Sequence, residues 1–234
     1  MATNTGPDII TNGLVLCLDA GDRNSYPGSG TSWTDLSGNG NNGTLVNGPT
    51  FVSNNRGSFS FDGANDYVSL SLSQNPSSQI TVESWIYPRR AVNTGIGAAL
   101  SANATPSTYG HYLGIFYSVD GGLTHSLHWA LETSAGRPYS QVGSIPRYSW
   151  SYIVGTYDGS RTKAYINGSL VYDAALTGTI YGNGSWSVGC YLPLPTDGTH
   201  NFDGLIGAAR IYNVAFSLEQ IQQSYNATKG RFGL

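Results

Sequence analysis

Any chemistry in this chain must come from a small set of side chains. There are three glutamates, Glu83, Glu132 and Glu219, and none has a second acid two or four residues away on the same strand face. Cleaving a glycosidic bond generally takes two carboxyl groups about 5–10 Å apart, one as acid and one as nucleophile or base. Glu219 falls in a helix-capping motif, so Glu83 and Glu132 would have to be brought together by the fold. Of the histidines, His111, His125, His128 and His200, only His125 and His128 are close in sequence, and a spacing of three on a strand points the rings to opposite faces. They read as surface or loop residues. No Gly-x-Ser-x-Gly supplies a nucleophile elbow, and no enzyme is expected. The densest candidate for recognition lies between residues 109 and 139. There Tyr109, His111, Tyr112, Tyr117, Trp129, Arg137 and Tyr139 combine aromatic faces for stacking on a sugar with polar groups to orient it. Strands are rich in aromatics for packing reasons too, so part of this set is expected in the core.

The elements that position these residues read as strands. Alternating segments are expected near 14–18, 50–53, 58–62, 66–71, 80–87, 97–101, 111–118, 125–132, 137–142, 150–157, 162–167, 169–173, 185–191 and 203–212. Asp158-Gly159 and Asn167-Gly168 are dipeptides suited to two-residue hairpins, whose central positions need positive φ. The Gly-, Asn- and Ser-rich stretch 21–48 reads as a long loop over the sandwich edge, anchored by Tyr26 and Trp33. Ser217-Leu-Glu-Gln220 is a capping box flanked by Phe216 and Ile221 as a staple. It predicts one short helix over 218–225, with Leu218, Ile221 and Tyr225 on its packed face. The whole is an all-β fold of two antiparallel sheets with one C-terminal helix. Residues 1–12 read as an arm, 13–225 as the domain and 226–234 as a tail.

The 234 residues suffice for one large sandwich, and Gly 31, Tyr 16 and 11% charged residues fit short strands joined by tight turns. A formal net charge of −3 leaves no basic stripe for a phosphate backbone, so nucleic acid is not expected as a partner. No apolar run approaches a membrane span, and the start of the chain lacks the basic and apolar regions of a signal peptide, so synthesis in a cytoplasm is expected. Cys17 and Cys190 sit in apolar or alternating strands and read as buried free thiols, with a disulfide open only if their strands are neighbours.

Several motifs in order carry a resemblance across most of the chain. They are Asn12-Gly-Leu-Val-Leu-Cys-Leu-Asp-Ala20, the run from Trp33 to Thr44, Phe59-Ser-Phe-Asp-Gly-Ala-Asn-Asp-Tyr-Val68, Ile80 to Pro88, and Phe202 to Asn213. This set resembles the laminin-G-like, concanavalin-A-like lectin family in its short bacterial and phage form. The resemblance implies a jelly-roll sandwich. It also implies calcium as a candidate cofactor, with Asp19, Asp22, Asp62, Asp66 and Asp203 as candidate ligands in turn-rich contexts. The same aspartates serve equally as turn-stabilising residues, and Gly207-Ala208-Ala209 stands where relatives often carry an acid. The Glu-x-Asp-x-x-Glu cluster of the related glucanases is absent. Both ends of the chain resemble laminin-G-like proteins of tailed phages. That implies a surface protein of the virion exterior, a capsid decoration or tail appendage. Its expected partners are other virion proteins, copies of itself and host surface glycans, with the arm and tail as docking elements. A bacterial carbohydrate-binding module is the alternative.

Overall fold

The computed structural model describes residues 8–54, 57–89, 95–103, 110–117, 123–182, 184–191 and 200–234. Among them sixteen strands form two antiparallel sheets packed as a jelly-roll sandwich. The first sheet runs β14 (Ser169–Ala175), β13 (Arg161–Ile166), β12 (Ser151–Tyr157), β7 (Ile80–Pro88), β16 (Asp203–Tyr212), β5 (Ser58–Asp62) and β4 (Thr50–Val52). In it β1 (Leu14–Asp19) pairs with the C-terminal half of β16. The second runs β11 (Tyr139–Pro146), β10 (Thr124–Ala130), β9 (His111–Phe116), β8 (Ile96–Ala102), β15 (Ser185–Val188), β6 (Tyr67–Ser71), β3 (Gly43–Val46) and β2 (Ser32–Trp33).

Alternation explains the core. Ile80, Val82 and Ile86 of β7 face Leu113, Ile115, Leu127 and Trp129 of the second sheet, all fully or almost fully buried. At Gly155 of β12 the missing side chain lets the Trp129 indole approach the facing backbone, and any Cβ there would overlap the ring. Trp129 then spends its only donor on Thr162 Oγ1, at 2.8 Å.

The middle of the outer face of the first sheet is also buried. Trp85, Tyr152, Val154, Tyr165 and Tyr212 lie under Ile10, Phe216, Ile221 and Phe232. The cover is α1 (Leu218–Thr228) and a 3₁₀ turn, Lys229–Phe232. Ser217 caps the helix as expected: its hydroxyl accepts from the Gln220 amide, and Gln220 Oε1 accepts from the Ser217 amide at 2.9 Å. Ile221 and Ser224 form the buried stripe, whereas Leu218, expected on it, is exposed.

Several expectations change. The tail does not begin at 226, because the helix continues to Thr228 and Phe232 is buried against the sheet. Of the expected arm, residues 8–12 lie on the protein: Ile10 is in the outer-face cluster and the Asp8 carbonyl accepts from Gln223 Nε2. Residues 1–7 lie outside the described residues. The loop expected over 21–48 contains β2 and β3, hidden in sequence by glycine and asparagine. Gly43 of β3 is there because a Cβ would strike Val68. The Asn167-Gly168 turn holds, with φ of 50° and 79°, but at Asp158-Gly159 only the glycine takes positive φ. The Asp158 carboxylate instead accepts from the Ser160 and Arg161 amides. Cys17 faces Arg210 across the first sheet and Cys190 follows β15 of the second; both cysteines are buried, and no disulfide joins them. Among the described residues no helix is long and apolar enough to cross a membrane.

Candidate functional site

The middle of the first sheet's outer face is covered by the helix, and the candidate site lies on the outer face of the second sheet. Strand register aligns Thr44, Ser69, Ser187, Ser101, Tyr112, Ala130 and Tyr139 in one row across β3, β6, β15, β8, β9, β10 and β11. Their chain neighbours Val68, Leu70, Trp186, Val188, Leu100 and Leu113 point into the core, which fixes the row outward. Midway, Ser101 and Ser187 donate to the Cys190 carbonyl at 2.8 and 2.9 Å and are wholly buried. The chain at Cys190 therefore crosses the row and separates a hydroxyl-lined half from an aromatic half.

The hydroxyl half is a groove of about 490 Å³, lined by Thr44, Tyr67, Ser69, Ser71, Asn103 and Ser185 among others, with no charged side chain among its described lining residues. Thr44, Ser69 and Ser71 are exposed. A hydroxyl both donates and accepts, so such a floor suits a ligand that is itself dense in hydroxyls. Sequence reasoning missed this groove. The available signal was serine alternating with apolar residues in Tyr67-Val-Ser-Leu-Ser71 and Ser185-Trp-Ser-Val188.

The aromatic half contains the expected recognition residues and mostly buries them. His128 Nε2 lies 2.7 Å from the Tyr112 hydroxyl, Tyr191 packs edge-on to Tyr112, and the Arg137 guanidinium lies over the Tyr112 ring. Arg137 Nε donates to the Gly110 carbonyl at 3.2 Å and stands 3.8 Å from Glu132 Oε2. His111 accepts from the Glu132 amide at Nδ1, and its Nε2 hydrogen-bonds the Tyr181 carbonyl. Trp129 and Tyr117 point inward by strand alternation; Tyr117 accepts from the Asp203 amide and donates to the Asn201 carbonyl. Of the seven candidates, Tyr139 is exposed at 61%, Arg137 is half-buried, and His111, Tyr112, Tyr117 and Trp129 are buried. Tyr109 lies outside the described residues. The expectation of surface histidines is likewise corrected: His111, His125 and His128 are all buried.

The fold agrees with what the chain is similar to. The family model for the concanavalin A-like lectin/glucanases superfamily matches residues 62–222. The chain belongs to that superfamily. No curated protein is detectably similar to it in sequence. Among solved structures, this concanavalin A-like domain is similar to domain 4 of AbnA, a GH43 extracellular arabinanase from Geobacillus stearothermophilus, in complex with arabinotriose. The TM-score is 0.66 at 19% identity, covering 91% of this chain and 98% of that one. It is also similar to the receptor binding domain of botulinum neurotoxin D (TM-score 0.65, 16% identity, 92% of this chain and 52% of that one). A third is Trypanosoma rangeli sialidase in complex with sialic acid (TM-score 0.68, 15% identity, 94% and 33%). At these identities the likeness shows the shared fold alone.

The acids of this concanavalin A-like domain are engaged elsewhere. Glu83 of β7 lies beneath the helix with Arg210 Nη1 at 2.8 Å, while Glu132 follows β10 in the other sheet, so the fold does not join the two glutamates. The five aspartates do not form the expected calcium set. Asp19 is held by Arg231 and stands 3.6 Å from Arg210, and Asp203 stands 3.3 Å from Arg89. Asp22 accepts from the Asn24 amide, Asp62 from the Ala64 amide and Asp66 from the Asp62 amide. Among the described residues no three His, Cys, Asp or Glu converge on a metal position. These aspartates stabilise turns and pair with arginines.

Burial makes the aromatic half acid-sensitive. Desolvation pushes the His128 and His111 pKa values down to about 4, with the Arg137 charge acting the same way on both and the Tyr181 carbonyl opposing it at His111. Both rings are neutral at pH 7. A folded pKa below the unfolded one means that stability is complete above about 6.5 and falls as the unfolded state takes up protons. Between pH 7 and pH 5 each histidine is expected to remove about 2 kcal/mol, which denaturant titrations at the two pH values would measure. Imidazole resonances titrating near 6.5 in the folded protein would contradict it.

Proposed function

We propose that this domain is a non-enzymatic glycan-recognition sandwich, with the sugar seated in the hydroxyl groove of the second sheet. One observation carries the proposal: Thr44, Ser69 and Ser71 are exposed side by side on a floor with Ser185, Asn103 and the Tyr67 ring, and no charged side chain lines that groove among the described residues. A neutral saccharide offers hydroxyls to exchange hydrogen bonds and an apolar ring face to rest on tyrosine, which matches this lining in both respects. The non-enzymatic role is supported by the commitment of Glu83 to Arg210 beneath the helix, away from Glu132.

The carrier follows from the resemblance of both chain ends to laminin-G-like phage proteins. On that basis the domain is displayed on a virion exterior, among other virion proteins and copies of itself, and meets host surface glycans there. A second proposal, a bacterial carbohydrate-binding module, is favoured by the match that spans 98% of an arabinanase domain solved with arabinotriose. Both use the same groove and differ in what bears it. A glycan array probed with the purified protein tests the shared claim. Selective binding of neutral glycans is expected, with calcium and with chelator alike, and a blank array under both conditions would overturn it.

A further inference from the structure

A second cavity lies on the first-sheet side, where the loop after β1 meets the end of β4. It has a volume of about 450 Å³, and its lining includes the Tyr26 and Phe51 rings, Ser53, the backbone of Gly21 and Gly57, and Arg23. Tyr26 is buried and fixed: its hydroxyl donates to the Gly30 carbonyl at 2.9 Å, and its ring packs at 5.2 Å from Phe51 and 4.7 Å from Phe59. The floor is held from behind by Arg231, which donates to the Gly57 carbonyl at 2.7 Å.

Arg23 stands apart from the other arginines. Arg89, Arg137, Arg161, Arg210 and Arg231 are each paired with a carboxylate, and Arg147 donates to the Arg89 carbonyl and the Tyr148 hydroxyl. Arg23 alone among the described arginines is exposed with its guanidinium in no ion pair or hydrogen bond, and it lines this cavity. The neighbouring Asp22 forms no ion pair with it, and that carboxylate accepts instead from the amide and side chain of Asn24.

The geometry points to a binding site for an acidic sugar residue, its carboxylate on the Arg23 guanidinium and its ring against Phe51 and Tyr26. A guanidinium presents a planar fork of donors that a carboxylate accepts in pairs, and such charge-assisted bonds are roughly twice as strong as neutral ones. An aromatic wall beside it selects a ring-bearing acid over a bare anion. This site is separate from the neutral-sugar groove, and neither depends on the other.

The test compares methyl β-glucuronide, methyl β-glucoside and acetate, titrated into the isotope-labelled 234-residue protein and followed by amide chemical shifts. The glucuronide is expected to shift the amides of Gly21, Phe51, Ser53 and Gly57 in a saturable way. The uncharged glucoside and the ring-less acetate should leave them in place at equal concentration. Arg23→Gln should weaken the glucuronide at least about tenfold, the loss expected when a charged hydrogen bond is removed. Arg23→Lys should retain part of the affinity. Since Arg23 is exposed, both variants should fold. Absence of glucuronide shifts at these amides, equal response to acetate, or unchanged affinity in Arg23→Gln would each overturn the site. The amides of Ser69 and Ser71 report the groove in the same spectra, so failure at one site is distinguished from failure at the other.

Discussion

Replacing Glu83 with alanine is expected to cost about 3–5 kcal/mol of folding stability, because it takes from the buried Arg210 its nearest carboxylate, and from two buried phenols their acceptor, beneath the C-terminal helix. Arg210 is 3% exposed, with Glu83 Oε1 at 2.8 Å and Asp19 Oδ2 at 3.6 Å. Glu83 also accepts from the Tyr152 hydroxyl, and the Tyr212 hydroxyl lies 3.4 Å from its other oxygen. Burial, reinforced by the Glu83 charge, raises the pKa of both tyrosines, so both phenols stay protonated as donors. Removing the carboxylate leaves a guanidinium and two hydroxyls short of their main acceptor. Replacing Glu83 and Arg210 together with leucine and methionine should recover part of the loss, since the guanidinium left without Glu83 is then gone while the Tyr152 and Tyr212 hydroxyls still lack their acceptor. Urea unfolding of the single and double variants measures both effects. A single-variant loss below about 1 kcal/mol, typical of an exposed pair, would contradict the network.

The second large effect is expected at the C-terminus. The Phe232 ring stacks on Trp85 with centroids 4.3 Å apart and leans on Trp150 at 4.6 Å. It fills the space left by Gly207, where a Cβ would lie 2.6 Å from the ring. Phe232→Ala should cost about 3–5 kcal/mol, as for other buried aromatic side chains cut to alanine. For a chain of this size that corresponds to a fall in melting temperature on the order of 10 °C. Ending the chain after Thr228 should do at least as much, because it also removes Arg231, which holds Asp19 and donates to the Gly57 and Gly207 carbonyls. A truncated protein that melts with the full chain would restore 229–234 to the status of a free tail.

The sandwich was legible in sequence wherever alternation was strong. Ile80–Pro88, Ser151–Tyr157 and Asp203–Tyr212 stand close to where the pattern puts them, and Ser217 with Gln220 announces the helix. Short strands with glycine at packed positions were not legible: Gly43 carries no hydrophobic signal, although its bareness is what lets β3 lie against Val68. The docking of the C-terminus is hidden in sequence because Lys229-Gly-Arg-Phe232 is polar on average, whereas its place is decided by one phenylalanine and one arginine that find partners far away in the chain. Candidate-site residues suffered from the same limit. Trp129 and Tyr117 are aromatic whether they face the core or solvent, and strand parity, uncertain from sequence at each end, decides between the two. Ser69 and Ser71 carry no signal of their own in sequence because single hydroxyls are common. Their meaning comes from the register that places Thr44, Ser185 and Asn103 beside them.

The groove is tested most directly by comparing Ser69→Trp with the parent protein for binding to the neutral glycan that ranks highest on the array. Ser69 is exposed on the outer face, so an indole there fills the groove without entering the core. If the groove is the recognition site, the variant keeps the parent's melting temperature and loses at least about tenfold in affinity. Full affinity in a folded Ser69→Trp protein would contradict the assignment and move recognition to another face of the sandwich.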